Sequence, residues 1–152
     1  MKYTVITYGS YGAITGFLIF ILHLALGKGL DYGTLEVLGY ISIVVSLSFI
    51  YFGIKHYRDR INNGSVSLGK AILIGVLISV LVGVGIAIAD FIYTAYINPD
   101  FFKEYSQMLI NEGKGDDVIE MTSTMGALFM LALVIVIGFI ITIISGVILQ
   151  RK

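Results

Sequence analysis

Four long stretches of this chain carry almost no charge, and the short segments between them carry nearly all of it. A helix needs about 20 apolar residues to cross roughly 30 Å of hydrocarbon. Residues 5–26, 35–54, 71–93 and 127–149 each meet that length, so the pattern predicts an all-α integral membrane bundle of four transmembrane helices in a single domain spanning residues 1–152. Alternating ten-residue strand patterns are absent, which argues against an outer-membrane barrel.

Within the third span, Ala71, Gly75, Ser79, Gly83 and Ala87 recur every four residues. Small side chains therefore line one stripe of the helix, which is how membrane helices approach closely, and the stripe is expected to face protein. Asp90 follows Gly83 by seven residues, and seven steps of roughly 100° return to within about 20° of the same direction. The acid is predicted to point inward. The first span repeats the device, with Gly9, Gly12 and Gly16 on a small-residue face and His23 seven residues after Gly16. Gly39, Ser46 and Gly53 in the second span, and Gly138, Thr142, Ser145 and Gly146 in the fourth, give each a face of the same kind.

Between the third and fourth spans, residues 99–112 predict a short amphipathic helix. Phe101, Phe102, Tyr105, Met108 and Leu109 fall on one side, Asn98 is placed to cap its start, Pro99 fits its first position, and Gly113 is placed to end it. Its apolar side suits anchoring at the membrane surface first, with covering an opening of the bundle or docking a partner as the alternatives. The following segment, GKGDDVIE, is acidic.

Charge sets the expected orientation. Lys2, Lys55, Arg58, Arg60, Lys70, Arg151 and Lys152, seven of the ten basic residues, flank one side of the spans, while Lys28, Lys103 and Lys114 flank the other. The positive-inside rule then puts both termini and the loop between the second and third spans in the cytoplasm, and the amphipathic helix outside. Ala25 and Gly27 imitate a signal-peptidase site, but the apolar run is longer than the ~7 to 15 residues of a signal, so the first span reads as retained.

Composition mostly removes possibilities. With 57% hydrophobic and 13% charged residues the chain is too apolar for an ordinary water-soluble domain. No cysteine is present, which removes disulfides and thiol chemistry. His23 and His56 fall on opposite sides of the membrane and cannot share a metal. HExxH, GxSxG and P-loop patterns are all missing, and the few basic residues offer no platform for nucleic acid. No catalytic, cofactor or metal residues are expected.

The wording of the sequence around the second hairpin is familiar. Gly39-Tyr40, Tyr51-Phe52-Gly53-Ile54-Lys55, Tyr57-Arg58-Asp59, Gly64, Gly69-Lys70-Ala71 and Gly75 resemble the bacterial membrane-protein family of domain of unknown function 4199, as do Asp90 and Pro99-Asp100-Phe101 to Tyr105. The resemblance implies four spans in a bacterial cytoplasmic membrane. It implies no catalytic residues and no activity.

Three constellations then remain as candidate chemistry. At 1.5 Å per residue Asp90 lies roughly 28 Å beyond Ala71 and His23 roughly 27 Å beyond Val5, so both sit at similar depth. As a pair in the outer half of the bundle they would bind a cation or relay a proton; the alternative is a carboxylate that merely reaches interfacial water. Lys55, Arg58, Arg60 and Lys70 either hold anionic lipid headgroups or only set topology. The small-residue faces, Gly75, Ser79, Gly83 and Ala87 with Gly9, Gly12 and Gly16, suggest a non-enzymatic structural or accessory protein that associates with itself or with another membrane protein. The rival reading is a small-solute or proton transporter using Asp90 and His23.

Overall fold

The computed structural model describes residues 1–150; Arg151 and Lys152, counted above on the basic side, lie outside the described residues. Most of the described residues are helical, and none of them lies in a strand. Helix α1 spans Lys2–Leu26, α2 Tyr32–His56, α3 Leu68–Ile92, α4 Phe101–Asn111 and α5 Ser123–Leu149. Helices α1, α2, α3 and α5 are each long and apolar enough to cross a membrane, and each contains one of the four stretches read from the sequence, except that Tyr93, the last residue of the third, falls in the turn after α3. Both α2 and α3 continue into π-helical turns, Tyr57–Ile61 and Tyr93–Ile97.

Local chemistry explains the boundaries. Asp31 caps α2 by accepting hydrogen bonds from the Thr34 amide and hydroxyl, which hold its carboxyl below the usual carboxylate range. Ser67 and Thr122 cap α3 and α5 by accepting from the amides of Lys70 and Met125. Helix α4 starts two residues later than the sequence reading placed it, at Phe101 rather than Pro99. Asp100 occupies the cap position, and Asn98 closes the preceding turn through its carbonyl, which accepts from the Phe101 amide. Gly113 does end α4. At φ +77° it lets the Lys114 and Gly113 amides return to the Leu109 and Ile110 carbonyls, a closure that L side chains resist.

Helix α3 is the centre, packed on α1, α2 and α5. Half of its most apolar window is buried, against 17% for α5, which is why the sequence spends its small residues there. On one side the small stripe of α3 meets that of α5 in antiparallel register: Ala71 faces Gly146, Gly75 faces Thr142, Ser79 faces Gly138, and Gly83 faces Leu131 and Val134. On another side α1 lays Gly9, Gly12 and Gly16 over Leu81, Val82 and Ile86, while Gly85 of α3 sits on the backbone of Ala13. Gly53 of α2 receives Ile78. Ala87, the last member of the predicted stripe, is only half-buried.

Several hydroxyls inside the bundle are settled within their own helices, whereas the buried Thr4 Oγ1 and His56 Nδ1 have no hydrogen-bond partner. The hydroxyls of Ser42, Ser46, Ser79 and Thr142 donate to the carbonyls of Leu38, Ser42, Val76 and Gly138, the usual accommodation where no water competes. Large apolar residues such as Leu18, Val44, Val84 and Ile144 cover the outside. An apolar exterior of this extent suits a lipid solvent rather than water.

The helix contacts yield a contrast. A Cβ on Gly85 would stand 2.5–2.9 Å from backbone atoms of Ala13, whereas a Cβ on Gly69 would meet nothing within 4 Å. Gly85→Ala is expected to force α1 from α3 and lower stability by about 1 to 3 kcal/mol, and Gly69→Ala to leave it unchanged. Unfolding midpoints of the detergent-solubilised variants check both.

Candidate functional site

At the end of the bundle opposite the termini, the helices part around a cavity of about 500 Å³. Its walls come from the last turns of α1, the first turns of α2 and α5, and Asp90 of α3, while α4 lies across it. Phe101, Phe102, Tyr105 and Leu109, the apolar side predicted for this helix, line the cavity. Edge-to-face rings fasten the cover: Tyr32 stands 5.9 Å from Phe101 and 5.3 Å from Tyr105, and Tyr93 stands 5.8 Å from Phe101. Of the three roles considered for α4, membrane anchoring, covering an opening and docking a partner, these contacts fit the cover.

Asp90 points inward as its spacing predicts and is only 7% exposed. Its Oδ2 is buried with no hydrogen-bond partner. Room for that oxygen comes from Gly126 of α5, where a Cβ would lie 3.2 Å from Oδ2 and 2.6 Å from Cζ of Phe102. The carboxylate and the Phe102 ring thus converge on a bare Cα at the inner wall. Three residues beyond Asp90 the helix loosens into its π-helical turn, and the Thr94 hydroxyl donates to the Asp90 carbonyl.

His23 lines the same cavity but is directed elsewhere. It packs edge-on against Phe20, with ring centroids 4.9 Å apart, and its Nε2 lies 3.8 Å from where a Cβ on Gly39 would stand. Its Nδ1 is buried without a hydrogen-bond partner. His23 and Asp90 form neither a hydrogen bond nor an ion pair. The sequence reading placed both at one depth, and the structure puts both in one cavity; however, His23 turns toward α2 and Asp90 toward α5, so the expected direct pair is not made.

Two further acids, Glu36 and Asp117, stand exposed in the lining, while Lys28, Lys103 and Lys114 are outside it. Lys114 is instead paired with Glu112 at 3.0 Å, which raises its amine above the usual lysine range. Glu36 and Gly126 went unremarked in the sequence. Gly126 had a legible signal, since it continues the small-residue face of Gly138 and Gly146 toward the start of its helix.

At the other end, the basic set is unevenly engaged. Arg58 pairs with Asp59 at 2.6 Å and donates to the Leu149 carbonyl at 3.4 Å, and the Lys70 amine stands 5.9 Å above the Tyr57 ring. Lys55 and Arg60 are exposed. Two of the four proposed headgroup contacts therefore also tie this end of the bundle together.

The family model described as "Protein of unknown function (DUF4199)" matches residues 7–151, and the chain belongs to that family. No curated protein and no solved structure matches it. Membership agrees with the resemblance seen in the sequence and attaches no activity to the cavity.

A buried carboxylate without a partner costs stability that a neutral isostere restores. Asp90→Asn is expected to raise the unfolding free energy in detergent at neutral pH by about 1 to 3 kcal/mol. Asp117→Asn, at an exposed position, is expected to shift it by less than about 0.5 kcal/mol.

Proposed function

We propose that this chain is a non-enzymatic, multi-pass protein of the bacterial cytoplasmic membrane that binds a small amphipathic molecule in the cavity beneath α4. The observation that carries this reading is a buried, unpartnered carboxylate in the wall of a largely apolar cavity. Ligand sites have this make-up, a hydrophobic lining with a few placed polar groups, and typically span about 300–1,000 Å³. Of the buried side-chain polar atoms left without a partner among the described residues, Asp90 Oδ2 is the only carboxylate oxygen, and an acid inside a membrane bundle is costly enough to mark a candidate site.

Transport through the bundle is less well supported than binding at its end. Below the cavity Leu47, Ile50, Ile78 and Val82 are fully buried, and the nearby hydroxyls of Ser46 and Ser79 are committed to their own helices. No polar path continues inward from Asp90. Association with a second copy or with another membrane protein was suggested by the small-residue faces. Gly9, Gly12, Gly16, Gly75 and Gly83 instead meet neighbours in the same chain, so a partner would have to use the lipid-facing surfaces.

The orientation proposed is that of the charge pattern. Lys55, Arg58, Arg60 and Lys70 gather at the end that holds the N-terminus, which favours a cytoplasmic placement there and an external one for α4. Reporter fusions check it: a C-terminal alkaline phosphatase is expected to stay inactive and the same enzyme inserted after Gly113 to be active. The opposite pattern overturns the orientation.

Binding itself is tested with phenylhexyl amphiphiles on the protein in lipid nanodiscs. At least one is expected to bind saturably above empty discs. Gly39→Trp, which places an indole in the cavity beside His23, is expected to lower that affinity at least tenfold while keeping the wild-type melting midpoint. Lack of saturable binding by every member of the series overturns the reading.

A further inference from the structure

We propose that the cavity selects an organic cation, a protonated or quaternary ammonium carried on an apolar body, with Asp90 as its counter-ion. This rests on the cavity being a ligand site, as proposed above, and names the class of ligand it takes. Every full charge that lines the cavity is negative. Glu36 and Asp117 are exposed in the lining and Asp90 is buried, so the acids lead from solvent to the inner wall. The lysines at this end, Lys28, Lys103 and Lys114, all fall outside the lining, and His23, the one imidazole within it, is turned toward α2. Such an arrangement draws cations toward the cavity and repels anions.

The inner wall supplies the rest of a cation site. Asp90 is more than nine-tenths buried, lines the cavity, and has an oxygen with no partner. A carboxylate so placed lacks a donor or a positive charge; a protonated ammonium provides both, and a quaternary ammonium provides the charge. The Phe102 ring converges with it on the bare Cα of Gly126, while Tyr32, Phe101 and Tyr105 continue the aromatic wall. Aromatic faces attract alkylammonium groups, and more strongly where water is excluded. The apolar remainder of the lining, with Leu24, Ile43, Met130 and Leu133, suits a hydrocarbon or aryl body.

Three probes with one phenylhexyl body and a trimethylammonium, hydroxyl or sulfonate head isolate the charge. The full chain is placed in nanodiscs of an uncharged, amine-free glycolipid, and equilibrium dialysis against empty discs reads saturable binding. The ammonium probe is expected to bind one per chain at least tenfold more tightly than the alcohol, with no saturable binding of the sulfonate. Asp90→Asn is expected to reduce the ammonium probe to the affinity of the alcohol. Gly126→Ala, whose Cβ would press on both Oδ2 and Phe102, is expected to weaken the ammonium probe alone, which keeps the test decisive should the Asp90 variant not assemble. Equal affinity for the three heads, preference for the sulfonate, or ammonium binding unchanged in both variants overturns the cation assignment while leaving the cavity as a ligand site. Absence of saturable binding by all three probes overturns both. Adding phosphatidylethanolamine to the discs separates the sources of such a head: displacement of the probe identifies a lipid headgroup, and no displacement identifies a free lipophilic amine.

Discussion

Everything in this bundle depends on how closely α3 can approach its neighbours. In a bilayer the lipid tails compete for apolar contact, so helices adhere by packing rather than by escaping water. Bare Cα atoms permit that packing. Gly85 resting on the Ala13 backbone fixes α3 against α1, and the four-residue interlock from Ala71 and Gly146 to Gly83 and Val134 fixes it against α5. Once those two seams are set, α2 has only the groove in which Gly53 meets Ile78. The other helices turn their large apolar residues outward because the inner contacts are already taken.

Asp90 belongs to the same α5-facing stripe, and the seam explains its peculiar state. Were α5 to continue its larger residues to this level, the carboxylate would have no room. Gly126 leaves a gap that Phe102 of α4 partly fills from the side. The acid is therefore held between three helices without receiving a hydrogen bond at Oδ2. Hydroxyls deeper in the bundle, those of Ser46, Ser79 and Thr142, are treated quite differently, each donating to a carbonyl of its own helix. Asp90 thus stands at the cavity end of the bundle as a buried acid without a partner.

Helix α4 gives the end its character. Cut off by a glycine closure at Gly113 and held by aromatic edges from Tyr32 and Tyr93, it closes part of the mouth without being buried itself. A short amphipathic helix fastened by ring contacts rather than by a packed seam is the least firmly attached element here, and low-stability elements are the ones that admit and release ligands.

Much of this was legible in the sequence because it is local to one helix. Apolar length determined the four spans, four-residue spacing determined which way Gly75, Ser79, Gly83 and Asp90 face, and Gly113 determined where α4 stops. Periodicity fixes a direction relative to a helix's own axis. It does not fix what stands in that direction. Hence only the tertiary structure decided that the glycine stripes are consumed inside one chain, that His23 turns to α2 while Asp90 turns to α5, and that the apolar side of α4 covers a cavity. It also brought in Glu36, a residue with no local mark of importance, and set Gly126 against Asp90, because a cavity wall is assembled from helices far apart in the chain. The rotation of each helix about its axis is set by which seams pack closest, and that is a property of the whole bundle.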